Sequence, residues 1–475
     1  MKTLLIYPPC SILFANPKAT YASMPLGLSC LSAYLKKEGH EVSILDLNIK
    51  MYFDAKEKDK KLWHRKNWNF WNNGTLFFNK ILPRLQDIQE KWVDTLLESG
   101  FGIIGFYISC TSQWMALSLA KRLKEKNKDI AVIFGGPDCS RENAERFLKT
   151  ADVDAVVMGE GEITLSQIVS SFEKTGQIKP CPGALFRENG EIVYGGQREL
   201  IENLDTLPYP DFSDFIDDYK ILFKDSIQLS ISWVRGCTHR CTFCYESRFW
   251  GSPRPRSPES ICREFISQKQ KYNVSAFYKG DSILAFSEEL LFKTCDLLIE
   301  NGGDIFWGSQ ARLENYLTPE SLQKLYKAGC RYLWYGLESG SQSVLDKMNK
   351  GLQVRQAQDI IINTKKAGIS TCLFIIVGSP GETIIDFIKT VWFILRNSDF
   401  IDYILVTSAE VSITSDWYLN PEKYGIVMEK KHYYHWRTKY YLNNQYGRAI
   451  GNYTLNAIYR MICYPRKIKK YLGLQ

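Results

Sequence analysis

Along the first part of the chain, short apolar runs alternate with longer stretches in which apolar residues recur at helical spacing. Thr3–Tyr7, Glu41–Leu47, Ile103–Ser109, Ala131–Phe134 and Ala155–Met158 predict strands, and Leu26–Lys37, Trp114–Lys124, Glu142–Lys149 and Ile163–Phe172 predict helices between them. Such alternation buries a parallel sheet between two helical layers, so residues 1–200 are expected to form a doubly wound, Rossmann-like α/β domain. Gly183–Tyr194 reads as a β-hairpin turning at Asn189-Gly190. From Ile227 the strand–helix pattern resumes, with strands near 227–234, 274–279, 304–310, 331–336, 371–377 and 402–408, which describes a partial (β/α)6 barrel.

Between these parts, Leu204-Asp-Thr-Leu-Pro-Tyr-Pro-Asp211 predicts a linker, placed at 201–221, so that the barrel spans 222–411 and an extension 412–475 follows. Residues 49–92 interrupt the first domain with Trp63, Trp68, Trp71 and Trp92 among Lys and Asn, and are expected to be a helical insertion rather than a substrate lid. The extension is rich in Tyr, Trp and Lys and holds His432 and His435; its aromatics suit contacts with an apolar or ring-bearing substrate.

The net charge of +8 is modest for 475 residues and falls largely in Lys56–Lys66 and Arg466–Lys470, which are expected to be solvated faces; no nucleic-acid partner is expected. The basic end from Tyr464 to Leu474 leaves peripheral membrane contact open. Met1–Tyr7 reads as a buried strand rather than a leader, because Pro8-Pro9 breaks it, and no stretch has bilayer-spanning length. Thirteen cysteines without a disulfide-like framework point to a reducing cytoplasm. Ten of them, such as Cys10, Cys139 and Cys463, are scattered and are expected to act as small buried hydrophobes.

The other three are concentrated in Arg235-Gly-Cys-Thr-His-Arg-Cys-Thr-Phe-Cys-Tyr245, directly after an apolar strand. Three thiolates on one tight loop can hold three irons of a 4Fe-4S cubane and leave the fourth open to a small molecule. A structural zinc site would close with a fourth Cys or His, and none stands at finger spacing nearby, since His239 lies inside the loop. With Phe243 before the last Cys, this run resembles the signature of the radical S-adenosylmethionine (SAM) superfamily. The resemblance implies Cys237, Cys241 and Cys244 as cluster ligands and Phe243 near the adenine of SAM. It also implies reductive cleavage of SAM to a 5'-deoxyadenosyl radical, with the electron coming from an external donor such as flavodoxin or ferredoxin.

Polar groups at other strand ends suit a SAM zwitterion: Asp281 after the second strand, Arg312 after the third, Glu338 after the fourth, and Gly378 in a Gly-Ser-Pro-Gly-Glu-Thr run that resembles a family motif. In the first domain the strands end in Asp46-Leu-Asn48, Ser109-Cys-Thr111, Gly135-Gly136-Pro and Gly159-Glu160-Gly161, where a ligand would cross their carboxyl ends. Together with the downstream cysteine loop, this order resembles the cobalamin-binding domain of cobalamin-dependent radical SAM enzymes. The Asp-x-His-x-x-Gly run that supplies a lower axial His elsewhere is lacking, so cobalamin without a protein His ligand is expected. The resemblance implies a C-methyltransferase acting on an unactivated carbon of a small-molecule, natural-product or lipid substrate. Radical cyclisation, ring contraction or oxidation without methyl transfer is the first alternative, and a non-catalytic metal-binding module is the second.

Overall fold

The computed structural model describes residues 2–10, 22–150, 152–188, 190–428, 437–438 and 440–441. The chain divides into two compact units, Met1–Ser230 and Ile231–Gln475.

In the first unit, strands β1 (Lys2–Tyr7), β2 (Glu41–Asp46), β3 (Ile103–Tyr107), β4 (Ala131–Gly135) and β5 (Ala155–Val157) are parallel, and β6 (Ala184–Glu188) and β7 (Glu191–Tyr194) close one edge as an antiparallel hairpin. The spatial order is β2-β1-β3-β4-β5-β6-β7. Successive connections leave β1 in opposite directions, so the crevice between the carboxyl ends of β1 and β3 is the topological switch point, where open α/β sheets take ligands. β1, β3, β4 and β5 are apolar on both faces because helices such as Leu26–Lys37, Gln113–Lys126 and Glu162–Thr175 lie between successive strands in the chain. Asn189, half of the expected turn, lies outside the described residues.

The 49–92 segment is helical, and its aromatics are packed: Trp63 and Trp71 are fully buried with ring centroids 5.6 Å apart, and Trp71 continues to Phe77 at 5.9 Å. Residues 201–221 are held against the first unit throughout. Asp211 N donates to Ser29 O (3.1 Å), Asp214 accepts from Ile44 N (2.8 Å), and the helix Ile216–Phe223 brings Tyr219 Oη to Asp46 (2.9 Å).

In the second unit β9 (Ala276–Lys279), β10 (Phe306–Ala311), β11 (Cys330–Glu338), β12 (Ser370–Val377) and β13 (Tyr403–Ser408) are parallel and adjacent in chain order, as in a half-barrel. The strand β8 (Ile227–Ile231), on which the division falls, heads the series, and its Ile231 carbonyl accepts from Gly280 N (3.1 Å). Each of three intervening helices carries its own start signal. Ser257 accepts from Ser260 N ahead of Pro258, Thr318 from Ser321 N ahead of Pro319, and Thr383 forms a reciprocal capping box with Asp386.

The extension expected from 412 does not begin as a separate tail. Trp417 is buried among Val344, Met348, Ala409, Val411 and Ile426, and its backbone N donates to Thr242 O (3.1 Å). A large apolar ring close in sequence to the last barrel strand gains more from that core than from solvent. His432, His435, Cys463 and the basic end lie outside the described residues. No helix among the described residues is long and apolar enough to cross a membrane.

Candidate functional site

The cysteine loop is built from the backbone upward. Val234–Arg235 pairs antiparallel with Arg254–Pro255, so the loop leaves and re-enters a short two-stranded neck. Its middle is pinned by Thr242 N to Met348 O (2.9 Å), Asn349 Nδ2 to Arg240 O (3.0 Å), and Cys244 N to Cys241 O (3.1 Å). All three thiols remain half-buried rather than sealed in the core. Burial pushes the Cys244 thiol up to about 12 and raises that of Cys237, a cost that a bound metal offsets by holding thiolate. Among the described residues no three His, Cys, Asp or Glu side chains converge as ligands of one ion. The thiolates of a cubane each hold a different iron and stand further apart than ligands of a single ion.

Positive charge supports thiolates here. Arg312 Nη1 lies 3.3 Å from Cys241 Sγ, its Nε donates to Glu314 (2.9 Å), and its Nη2 donates to the Lys350 carbonyl. His239 also reaches Glu314 (3.0 Å). The His239 hydrogen bond, with Arg312 beside it, holds the Glu314 carboxyl down to about 2. The donor set, pinned loop and adjacent guanidinium fit an iron-sulfur cluster.

Lys350, which sequence reasoning did not single out, joins the other strand ends to this loop. It is buried, pairs with Glu338 (2.9 Å), and stands 5.6 Å from the Phe243 ring centroid. Glu338 ends β11 at φ 67°, after a register shift between Gly336 and Glu338. A bulky non-glycine residue at positive φ costs about 1–3 kcal/mol and persists only where surroundings impose it. Phe243 packs on Trp417, with ring centroids 5.9 Å apart. Gly378 N donates to Glu382 (2.5 Å), so the carboxylate of the Gly-Ser-Pro-Gly-Glu-Thr run closes its own loop.

Asp281 is engaged by the fold's own groups. It was expected to meet SAM, but its carboxylate accepts from Ser232 Oγ (2.6 Å), Trp233 N (2.7 Å) and Val234 N (3.1 Å), and pairs with Lys279 (2.7 Å). Lys279 is completely buried, so the local requirement for a counter-ion claims this carboxylate. Through Trp233 N and Val234 N it ties down the backbone at the entry to the cysteine loop.

In the first unit, Asp46 and Asn48 are likewise engaged by the fold's own groups. Asp46 caps the helix Leu47–Asp54 through Ile49 N (3.0 Å) and accepts from Tyr219, while Asn48 accepts from Cys10 N (2.9 Å) and Trp63 Nε1 (2.7 Å). Both are nearly inaccessible because the insertion and the 216–223 helix need buried polar anchors. Tyr7 and Tyr107 meet at the switch point, ring centroids 5.1 Å apart. Ser109 lies 3.5 Å from Thr111 Oγ1 and 3.1 Å from Ser112 Oγ, and Thr111 is fully buried. Gly135 and Gly136 end β4; Gly136 has φ 126°, and a Cβ there would lie 2.7 Å from Ile108 O, so only glycine fits. Gly159 is exposed with open space beside it, Glu160 accepts from Ile201 N (2.9 Å), and Gly161 starts the Glu162–Thr175 helix. Asp138, missed by sequence reasoning, follows Gly135-Gly136-Pro137 fully buried, and neither carboxylate oxygen has a hydrogen-bond partner among the described residues; burial raises its pKa well above the ordinary carboxylate range.

Asp46 sets a pH dependence. Burial raises its carboxyl from 3.8 to about 7. Between these values the folded state holds a proton that the unfolded state has lost, so this group makes stability fall as pH rises from about 4 to 7 and contributes no slope outside that window. Asp46→Asn is therefore expected to flatten the stability profile over that interval. Urea unfolding of both proteins from pH 4 to 8 checks this, and parallel profiles contradict it.

Residues 231–394 match the family model described as the Radical SAM superfamily. An uncharacterized methyltransferase of Pyrococcus horikoshii is 25% identical over 386 residues, 81% of this chain and 75% of the relative. An anaerobic magnesium-protoporphyrin IX monomethyl ester cyclase of Rubrivivax gelatinosus is 27% identical over 58% of this chain, which spans 51% of that protein. Among solved structures, the cobalamin-dependent SAM radical enzyme OxsB with aqua-cobalamin bound superposes with a TM-score of 0.72 at 16% identity, over 95% of this chain and 66% of that one. The radical SAM methyltransferase TsrM of Kitasatospora setae, with cobalamin and a [4Fe-4S] cluster bound, gives 0.69 at 14% identity over 96% and 90%. These two likenesses establish the common fold.

Proposed function

We propose that this chain, a radical SAM enzyme whose family domain spans residues 231–394, is a cobalamin-dependent C-methyltransferase acting on an unactivated carbon of a small-molecule, natural-product or lipid substrate. The observation that carries the reading is the pinned loop presenting Cys237, Cys241 and Cys244 beside Arg312, in a chain whose first unit is a doubly wound sheet with an open glycine-rich edge. When bound, the cluster supplies the electron that divides SAM, and a cobalamin carries the methyl group. The cysteines would hold the cluster. Arg312, Glu338 and Lys350 would orient the SAM zwitterion by charge, and Phe243 offers an apolar face for its adenine. The glycine-bearing strand ends of the first unit, Gly135, Gly136 and Gly159, would admit the corrinoid.

A cobalamin without a protein His below the cobalt is part of this reading: residues 1–200 hold two histidines, His40 and His64, and His40 is committed to Glu173 (3.0 Å), Ser166 (3.3 Å) and Ser170 (3.3 Å). Protein reconstituted with cobalamin is expected to keep it through gel filtration, and its cob(II)alamin spin-resonance spectrum to lack nitrogen splitting from a protein ligand. Loss of all cobalamin on the column, or nitrogen splitting that vanishes in His40→Ala, contradicts this. The radical cyclase alternative is favoured by the Rubrivivax relative, and the products separate the two. Methylated substrate with S-adenosylhomocysteine supports transfer; deoxyadenosine without S-adenosylhomocysteine supports the alternative.

A further inference from the structure

Arg312 follows directly on β10, and its guanidinium makes three fixed contacts. Nε donates to Glu314 Oε1 (2.9 Å), Nη2 donates to the Lys350 carbonyl, and Nη1 donates to Cys241 Sγ, 3.3 Å away. The first two partners are themselves tied down. The same Glu314 oxygen meets His239 from inside the cysteine loop (3.0 Å), and Lys350 N donates to Leu345 O (2.9 Å) while its ammonium pairs with Glu338 (2.9 Å). A planar fork gripped at two corners presents its third to the thiol in one orientation, so little freedom is lost when that hydrogen bond forms.

Burial decides what the contact does. The Arg312 side chain is 11% exposed, so water screens its charge weakly, and a guanidinium keeps its proton at every pH of interest. Cys241 is one of the three half-buried thiols that would hold the cluster, and reduction makes a cluster one unit more negative. A hydrogen bond from a fixed cation to a ligand sulfur favours the more negative state, and hydrogen bonds to the sulfurs are among the levers that set cluster potentials. The Glu314 carboxylate adds a negative charge beside the same fork and opposes part of that effect.

We propose that Arg312 tunes the cluster: the N–H it donates to the Cys241 thiolate raises the reduction potential, and Glu314 is the residue that positions it. The inference rests on the radical SAM reading above, and it gives Arg312 a role that needs no SAM. In the step, a one-electron reductant loses one electron and the cluster gains it, with no bond made or broken.

The test is a redox titration of the anaerobically reconstituted protein without SAM, with titanium(III) citrate as the reductant and the reduced cluster read by spin resonance. In Arg312→Gln the equilibrium constant for reduction is expected to fall about tenfold or more through loss of a charge-assisted hydrogen bond, which lowers the midpoint by about 59 mV for each tenfold. Arg312→Lys keeps the charge and loses the fork, and is expected to lie between the two. Glu314→Ala removes a negative charge and also releases the guanidinium, two effects of opposite sign; with Arg312→Gln already in place, only the first remains. The midpoint shift caused by Glu314→Ala is therefore expected to be more positive in the Arg312→Gln background than in wild type. A wild-type midpoint in Arg312→Gln overturns the proposal, including the case where that variant binds SAM more weakly, which leaves Arg312 a SAM ligand alone. Equal shifts for Glu314→Ala in both backgrounds overturn it too, by removing the positioning role. Should Arg312→Gln lose its cluster, Arg312→Lys carries the test, and a midpoint at or above wild type overturns the proposal. Failure of the wild-type protein to assemble a cluster removes the radical SAM reading and this proposal with it.

Discussion

Replacing Cys237, Cys241 or Cys244 by Ala is expected to abolish cluster assembly and all reductive cleavage of SAM. In the proposed reading each thiolate would hold one iron, and the loop offers no substitute ligand: His239 is engaged by Glu314, which also holds Arg312. The fold of the loop does not depend on the thiols, since its fixed points are backbone bonds to Met348, Trp417 and Cys241 and the Asn349 side chain. Each variant should therefore remain folded, with a melting temperature close to that of the unreconstituted wild type, while iron, sulfide and the visible charge-transfer absorption are lost. Full iron content with normal SAM cleavage in any one variant sinks the ligand assignment.

Asp281→Ala is expected to destabilise the second unit by about 3–5 kcal/mol, the usual cost of leaving a buried charge without its partner. Lys279 is fully inaccessible, and burial already lowers its pKa even with Asp281 beside it. The same substitution strips Trp233 N and Val234 N of their acceptor at the entry to the cysteine loop. Urea unfolding of the variant against wild type measures the loss. Asp281→Asn should recover part of it, because an amide oxygen still accepts from the loop while the ammonium stays uncompensated. Unchanged stability with weakened SAM binding would restore Asp281 to the ligand role that its position suggested.

That residue illustrates what local pattern can and cannot carry. Strand and helix positions were legible because each apolar run must be buried and each is bounded by its own turn or cap; Leu26–Lys37 and the Ser257-Pro258 helix start are examples. The cysteine loop was legible as a candidate because its three thiols lie within eight residues of sequence. The partners of Asp46, Asp281 and Lys350 were not. Asp46 meets Tyr219 across 173 residues, and Lys350 meets Glu338 on a strand end whose backbone is turned by a bulge. A lone Lys in a loop reads as solvated unless its counter-ion is known. Trp417 escaped for the same reason, since its core forms from the 344–348 and 409–411 segments. Position at a strand end picks out polar residues, and tertiary pairing decides which of them the fold itself engages.

Methyl transfer is tested by the product balance of the anaerobically reconstituted protein. With cobalamin, SAM, titanium(III) citrate and a panel of candidate substrates, mass spectrometry is expected to find one S-adenosylhomocysteine and one 5'-deoxyadenosine for each methylated product. Deoxyadenosine formed with substrate conversion but no methylated product and no S-adenosylhomocysteine contradicts it.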